Sequence, residues 1–490
     1  MARDGRAAAC DTALDKRSGT RFLLALAAYF ALQVVLRVNS PAMLDLDESE
    51  ALLAAQRLQR GYGSQPPLYC WLQWLMFSVF GINVFALSLQ KNLLLFCTYA
   101  AMFCTARPLL GVGGAMIAAA SLILLPQIGW ESQRDLTHSV LVTCMAALTL
   151  WCYFWLLRKP GRWRHALFGL LLGLGLQSKY NFVLFAAGLF AASLVVREHR
   201  QAFWSRHAPI ALGVLLLAVA PHGLWLFEHL DLAASATQAK MAGHHAGYAA
   251  NVARGLASMA NASILFLSPL WIVYGWIWWR RRSSARLRVD SAQARFFIWF
   301  YLAAFACIAA LVLGGVLASI KDRWMQPLLF LAPLAFFTVF PTLADRRVCR
   351  GMLWVAGVFA VLIVAGLSAR AHLGQNTRAP YGELSSQLTL RFPQARILVA
   401  GEPTDAANLY LQNPAWTVMP LRALLQGRPA IDGDVLLIDP GDRPGKSLGR
   451  FLAAYRSAVV RQRGRIDAGK PGERLGTKAL SYALVSVKEE

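Results

Sequence analysis

The fold is decided by residues 21–50, RFLLALAAYFALQVVLRVNSPAMLDLDESE. An apolar run from Phe22 to Val38 is close to the roughly 20 residues that span the hydrocarbon core of a bilayer. Four carboxylates follow it in residues 44–50, here called the acidic segment. Carboxylates beside a bilayer must stay hydrated, paired or bound to metal, because burying a lone charge is very unfavourable. This segment is therefore the first place at which we expect chemistry.

Apolar runs of similar length recur as far as Leu367. Hydrophobic residues make up 57% of the 490 residues and charged residues 15%, with a mean hydropathy of +0.44, whereas a soluble domain carries roughly 25% charged residues. The sequence predicts an α-helical polytopic membrane protein with about eleven transmembrane helices. The predicted spans are 21–38, 84–105, 110–127, 138–157, 165–178, 181–196, 208–228, 262–279, 295–317, 325–342 and 350–368.

The connections between these spans alternate in charge. The basic set comprises the N-terminal tail, 158–164, 197–206, 280–295 and 346–350. The other set, which holds most of the loop acids, comprises 39–83, 128–137, 229–261 and 318–324. Because positively charged loops stay in the cytoplasm, we expect a cytoplasmic N-terminus, with the acidic segment and the C-terminal region on the outer face. The first span should be retained, since Val38-Asn39-Ser40 is a poor cleavage site for a signal peptide.

The formal net charge is +23, from 49 basic and 26 acidic residues. Most basic residues lie in short loops, where we expect membrane lipids with anionic headgroups, and not nucleic acid, as their partners. The eight cysteines show no paired spacing and are expected to be small core residues.

Two regions differ from the membrane core. Residues 39–83 are too long for a turn and predict helices lying along the outer surface, the first from Asp47 to Gln59. Residues 371–490 predict a small α/β domain, set apart from a transmembrane domain of residues 1–370. Its expected strands are 396–401, 435–440 and 482–487, with helices over 404–412 and 447–459. Its glycines form no nucleotide-binding fingerprint.

An ordered set of motifs follows the first span: Asp47-Glu48, Gly61-Tyr62-Gly63, Pro66-Pro67-Leu68-Tyr69 with Trp71, Phe80-Gly81, Phe85 to Lys91, and Gly175 to Tyr180. In this order, within a many-span protein, they resemble the GT-C superfamily of membrane glycosyltransferases. The likeness is to the bacterial family of protein O-mannosyltransferases, lipid A aminoarabinose transferases and lipopolysaccharide core glycosyltransferases, and it covers residues 20–230.

The resemblance implies an inverting transfer of a sugar from a polyprenyl-phosphate donor to a glycolipid or polysaccharide acceptor of the lipopolysaccharide or lipid A type. The reaction would take place on the periplasmic face of the bacterial inner membrane. Asp47 would be the general base for the acceptor hydroxyl, and Glu48 would orient the segment or bind metal. The alternative is that both carboxylates only cap and solvate an interfacial helix, since acids favour a helix N-terminus.

Asp135 and His138 form a second candidate pair, at the start of the fourth span. Family members commonly place an acid there, so the resemblance implies that both residues serve the acceptor side of the site. His138 can shuttle a proton or bind metal. The alternative is a polar helix cap.

Three cations are candidates for contact with the donor phosphate, whose departure needs positive charge. Lys91 and Lys179 lie within or at the ends of spans, where a charged residue is a functional candidate by default. The alternative is that both side chains snorkel to the interface. Arg323 is the third candidate; it could instead pair with Asp322.

No cofactor is firmly indicated, and a divalent metal stays open. Its candidate ligands are Glu48, His222 and His244, although the histidine spacing is too loose for a motif and a solvated His244-His245 pair is the simpler interpretation. Aminoarabinose transferases carry an acidic-basic pair where this chain has Ser64-Gln65. That departure argues against a metal site of their type.

Two other classes of protein stay open. A transporter or lipid flippase without covalent chemistry would place its key polar residues near the bilayer midplane in both halves, whereas here they gather in outer connections. A structural subunit of an envelope assembly would use the C-terminal domain as its binding module.

Overall fold

The computed structural model describes residues 2–63, 65–230, 247–374, 378–427, 429–443, 445–469 and 477–488. The α-helices are α1 (Ala2–Val38), α2 (Leu46–Ala54), α3 (Leu68–Phe80), α4 (Val84–Ala120), α5 (Ser132–Arg134), α6 (His138–Arg158), α7 (Arg162–Leu176), α8 (Phe182–Val195), α9 (Arg197–Phe203), α10 (Ala208–Glu228), α11 (Tyr248–Phe266), α12 (Ser268–Arg280), α13 (Ala292–Leu313), α14 (Gln326–Leu329), α15 (Ala332–Val339), α16 (Arg346–Leu373), α17 (Tyr381–Arg391), α18 (Pro403–Gln412), α19 (Leu421–Gly427) and α20 (Lys446–Ala454). Short 3₁₀ turns cover Ser121–Leu124, Asp322–Trp324 and Pro341–Leu343, and a π-helical turn covers Gln127–Glu131.

Six helices of the described residues are long and apolar enough to cross a membrane, and the number is up to eight if each of two bent helix pairs is one span. The α-helical polytopic fold is therefore confirmed, but the count of about eleven spans is not. Helices α7 and α8, at 15 and 14 residues, reach only about 22 Å against a hydrocarbon core of about 30 Å. The predicted span 325–342 is divided between α14 and α15.

Helix α4 contains a break at Gly111, where φ is 72° and ψ is 179°. Such a positive φ strongly favours glycine, and Pro108 precedes it in the same helix. The break falls at the start of the span predicted at 110–127, six residues after the end of the span predicted at 84–105.

The chain forms two compact units. The first unit comprises residues 1–33, 59–69 and 91–363, and the second comprises 34–58, 70–90 and 364–490. Within the first unit, α8 packs on α13 and α7 packs on α10. An aromatic core that includes Tyr153, Phe296 and Phe300, all fully buried, joins α6 to α13. The predicted division at residue 370 stays a prediction.

The second unit contains a five-stranded sheet in the order β2-β1-β3-β5-β4, built from β1 (Ile397–Ala400), β2 (Thr417–Pro420), β3 (Gly433–Pro440), β4 (Val459–Ala468) and β5 (Lys478–Val487). Strands β2, β1 and β3 are parallel, and β5 is antiparallel to β3 and β4. The three predicted strands are confirmed as β1, β3 and β5, whereas β2 and β4 were not predicted. The helix predicted over 447–459 ends at Ala454, and β4 begins at Val459.

The acidic segment and helix α2 share a hydrophobic core with this sheet. Leu44, Leu52 and Leu53 are buried in the same cluster as residues of α17, α18 and β1. Helix α2 ends at Ala54, five residues before the predicted end at Gln59. The position of α2 and α3 on the outer face stays a prediction.

Candidate active site

The four carboxylates of the acidic segment differ in their partners. Glu48 is 3% exposed and pairs with Arg37 at 2.9 Å. Arg37 also donates to the carbonyl of Ala42 at 2.9 Å, so its guanidinium ties the chain before α2 to the first turn of that helix. A buried carboxylate is tolerated only when it is paired and hydrogen-bonded. Glu48 therefore has the partner that its burial requires.

Asp45 immediately precedes α2 in an extended conformation but does not cap the helix with its side chain. Its carboxylate is instead engaged by Arg370 of α16, at 2.9 and 3.0 Å from its two oxygens. Asp47 lies in the first turn of α2 and is half-buried, whereas Glu50 is exposed. The segment thus holds two carboxylates in ion pairs with arginines of the second unit and leaves Asp47 partly open to solvent.

A second group of polar residues lies within the first unit. Lys179, between α7 and α8, donates to the hydroxyl of Ser139 in the first turn of α6, with 2.6 Å between Nζ and Oγ. Asn181 donates to the carbonyl of Trp324 at 2.9 Å. These two bonds connect the segment of Lys179 to the segments of His138 and of Arg323.

The π-helical turn at Gln127–Glu131 adds further connections. Ser132 Oγ donates to the carbonyl of Gln127 at 2.6 Å and so closes the wide turn. Gln127 Nε2 donates to Asp322 at 2.6 Å, and Gln133 Nε2 donates to Asn92 at 2.9 Å. Isolated π-helical turns are frequent at functional sites because they redirect side chains within a helix. Gln127 of the turn thus joins this part of the chain to the segment of Arg323, and Gln133 of the following helix α5 joins it to the segment of Lys91.

The first unit therefore brings together the segments of five predicted site residues: Lys91, Asp135, His138, Lys179 and Arg323. Lys91 and Asp135 are buried, and Lys179 and Arg323 are half-buried. Asp322 accepts from the backbone N–H of Arg323 and from Gln127. Asp47 and Glu48 belong to the second unit.

His138 begins α6 and packs against Tyr69, with ring centroids 5.2 Å apart. Its Nδ1 lies 3.3 Å from the hydroxyl of Thr137. Tyr69 is positioned by the preceding residue, since Leu68 N–H donates to the carbonyl of Gln177 at 3.1 Å. The proline-containing motif before α3 is thereby fixed to the segment that carries Lys179.

The motif around Gly61 is held against α10. A Cβ atom at Gly61 would lie 2.2 Å from the ring of Trp225, so only glycine fits without displacing that ring. His222 of the same helix contacts the carbonyl of Arg60 at 3.0 Å through Nδ1 and the Tyr180 hydroxyl at 3.3 Å through Nε2. Burial raises the pKa of Tyr180, which keeps this hydroxyl protonated at neutral pH.

The described part of the chain contains no group of three or more His, Cys, Asp or Glu side chains that could hold a metal ion. Both ring nitrogens of His222 contact protein groups, and Glu48 pairs with Arg37. His244 and Ser64 lie outside the described residues. We therefore assign no step to a metal.

Several positioning residues were not found from the sequence. Arg37 and Arg370 end membrane spans, and a search for cations able to neutralise the acidic segment could have singled them out. Ser139, Asn92 and the other uncharged partners carry no such signal, because their role depends on contacts between distant segments.

Comparison with known proteins identifies the family. A family model described as dolichyl-phosphate-mannose-protein mannosyltransferase matches residues 64–225. The lipopolysaccharide core galacturonosyltransferase RgtB of Rhizobium johnstonii is 35% identical over 405 residues, which are 80% of this chain and 81% of that protein. The chain belongs to the GT-C superfamily of membrane glycosyltransferases.

Two further comparisons agree with this GT-C assignment. The lipopolysaccharide core galacturonosyltransferase RgtA of the same organism is 32% identical over 94% of this chain and 93% of its own length. The crystal structure of ArnT from Cupriavidus metallidurans bound to undecaprenyl phosphate has a TM-score of 0.59 and 12% identity, covering 94% of this chain and 97% of that one. The GT-C fold and glycosyltransferase activity follow, and the transporter alternative is not favoured.

Proposed function

We propose that this GT-C glycosyltransferase transfers a galacturonosyl residue from a polyprenyl-phosphate donor to the core or lipid A part of lipopolysaccharide, on the periplasmic face of the bacterial inner membrane. The observation that carries the proposal is the 35% identity to a lipopolysaccharide core galacturonosyltransferase across four-fifths of both chains. A third relative, 27% identical over 56% of this chain, is the lipid A galacturonosyltransferase RgtD of Rhizobium johnstonii. The three relatives share the sugar and differ in the acceptor, so their support is stronger for galacturonate than for either acceptor region.

The charge of the candidate site suits this donor. A polyprenyl-phosphate galacturonate carries two anionic groups, the phosphodiester and the sugar carboxylate. Lys91, Lys179 and Arg323 supply three cationic side chains from the linked segments of the first unit. Cations held by hydrogen bonds in a partly buried site stabilise charge that develops on a leaving group better than mobile cations in water do.

The proposed reaction is a single displacement at the anomeric carbon. The acceptor hydroxyl oxygen forms a bond to that carbon while the bond from the carbon to the phosphate oxygen breaks, with inversion of configuration. The hydroxyl proton goes to the Asp47 carboxylate, and the electron pair leaves with polyprenyl phosphate. Glu48 orients the first turn of α2 through its pair with Arg37. Asp135 and His138 are assigned to acceptor binding.

The test is a transfer assay with purified protein in proteoliposomes. Labelled polyprenyl-phosphate galacturonate and a polyprenyl-phosphate neutral hexose are offered in parallel, with lipopolysaccharide core and lipid A as acceptors. The wild type should transfer galacturonate, and Asp47→Asn should reduce transfer by about 100-fold or more, the range of a lost general base. Glu50→Gln, an exposed carboxylate of the same helix, is the matched control and should keep its activity. Preferential transfer of the neutral hexose would refute the sugar, and full activity of a folded Asp47→Asn protein would refute the base.

A further inference from the structure

The C-terminal α/β fold contacts the chain on both sides of helix α2. Before the helix, Leu44 N–H donates to Asn408 Oδ1 at 2.9 Å, and Asn408 Nδ2 donates back to the Leu44 carbonyl at 3.3 Å. Asn408 is 3% exposed and Leu44 1%. One side-chain amide thus satisfies both backbone groups of the residue that directly precedes Asp45.

After the helix, the same arrangement occurs with the roles reversed. Gln56 Nε2 donates to the carbonyl of Val418 in β2 at 2.8 Å, and Val418 N–H donates to Gln56 Oε1 at 3.3 Å. Helix α2 is nine residues long. Each end of a short helix is therefore fixed by a reciprocal pair of hydrogen bonds to a different element of the C-terminal fold. We call these two contacts the amide clamps, Asn408 with Leu44 and Gln56 with Val418.

Helix α18, which carries Asn408, is itself firmly anchored. Asp405, one turn earlier, is 1% exposed, accepts from the Tyr381 hydroxyl of α17 at 2.5 Å and pairs with Lys478 of β5 at 2.9 Å. Burial and the nearby Asp405 carboxylate raise the pKa of Tyr381, which keeps its hydroxyl a hydrogen-bond donor. Ala406 and Ala407 pack in the hydrophobic cluster that also contains Leu52 and Leu53 of α2. Helix α18 is therefore held in place by α17 and β5, and it in turn holds Asn408 against Leu44.

We propose that the C-terminal fold positions the acidic segment and helix α2, and that Asn408 and Gln56 are positioning residues for Asp47. This inference rests on the proposed function, in which Asp47 is the general base. A base must stay within hydrogen-bond distance of the proton that it accepts, and a displacement of about 1 Å can lower a rate about 100-fold. Asn408 holds the backbone of Leu44 before α2, and Gln56, which follows α2, holds the backbone of Val418 in β2.

The test combines kinetics with hydrogen exchange on the full-length protein in proteoliposomes or detergent. Asn408→Ala should lower kcat by roughly 10- to 100-fold while the KM for the donor changes less than about threefold, because geometry and not donor binding is lost. Gln56→Ala should act in the same direction. Asn413→Ala is the matched control. Asn413 follows the same helix, and its side chain bonds Thr389 and Ala415, which both lie away from α2. The kcat of this variant should stay within twofold of wild type.

Hydrogen exchange separates this inference from the proposed function. Peptides covering residues 39–46 should exchange faster in Asn408→Ala than in wild type or Asn413→Ala, because the Leu44 amide loses its acceptor. Unchanged exchange would overturn the clamp, and faster exchange with wild-type kcat would overturn positioning while leaving the proposed function intact. An active Asp47→Asn protein would refute the base independently of either result.

Discussion

The buried pair between Arg37 and Glu48 should make a large contribution to stability, and Arg37→Gln tests it. The pair is 2.9 Å long, and the two side chains are only 18% and 4% exposed. Removing one partner of such a pair leaves an uncompensated buried charge and destabilises a protein by about 3–5 kcal/mol. The substitution also removes the donor to the Ala42 carbonyl, and this loss lowers the stability further. We expect the free energy of unfolding, measured by denaturant titration in detergent, to fall by about 3 kcal/mol or more.

Two further variants decide whether the buried charge is the cause. Adding Glu48→Gln to Arg37→Gln also removes the buried negative charge and should recover a large part of the loss, a coupling that a double-mutant cycle measures. Arg465→Gln is the matched control, because Arg465 pairs with Asp467 at 3.0 Å while both side chains are at least 60% exposed; exposed pairs contribute about 0.2–1 kcal/mol. If Arg37→Gln destabilises the protein no more than Arg465→Gln does, the reasoning from burial is wrong.

Two other predictions concern the first unit. Gly61→Ala places a Cβ atom 2.2 Å from the Trp225 ring and should destabilise the protein by about 1–3 kcal/mol in the same titration. The control is Gly213→Ala in helix α10, where a Cβ atom would meet nothing within 4 Å, and this variant should be neutral or stabilising. Lys179→Ala should lower kcat/KM for the donor at least about 10-fold in the transfer assay, with exposed Lys159→Ala near wild type; equal values for the two variants would contradict phosphate contact by Lys179.

The elements that sequence predicted well are those encoded by local composition. Apolar runs of near-membrane length identified the polytopic helical fold, and three β-rich runs identified β1, β3 and β5. Strand β4 was missed because its sequence, VVRQRGRIDA, is largely polar and exposed, as an edge strand can be. The predicted count of about eleven spans is not confirmed, and α7 and α8, at 15 and 14 residues, are too short to cross alone. Hydropathy indicates that a segment avoids water, but it does not indicate whether the helix crosses the membrane or bends within it.

In the candidate site, too, the sequence predicted some features and missed others. The chemistry-bearing residues could be named from motif order, and the segments of Lys91, Asp135, His138, Lys179 and Arg323 are indeed linked in the first unit. Their individual roles stay predictions, as does the role of Asp47. What sequence could not supply is the identity of their partners, because a hydrogen bond such as that from Gln127 to Asp322 joins residues 195 positions apart. Such pairs leave no periodic signal in one chain.

The acidic segment shows why this limit matters for function. Four carboxylates in seven residues look equivalent in sequence, yet burial and partners give them different chemistry. Glu48 is buried with Arg37, Asp45 is held by Arg370, and Asp47 is half-buried on a helix whose two ends are fixed. An acid that must accept a proton needs access to substrate and a fixed position, and ion pairing at its neighbours can supply the second without removing the first. Asp47 stays the proposed base, and Asn408 and Val418, which lie more than 350 positions away from Leu44 and Gln56 along the chain, connect the C-terminal fold to both ends of its helix.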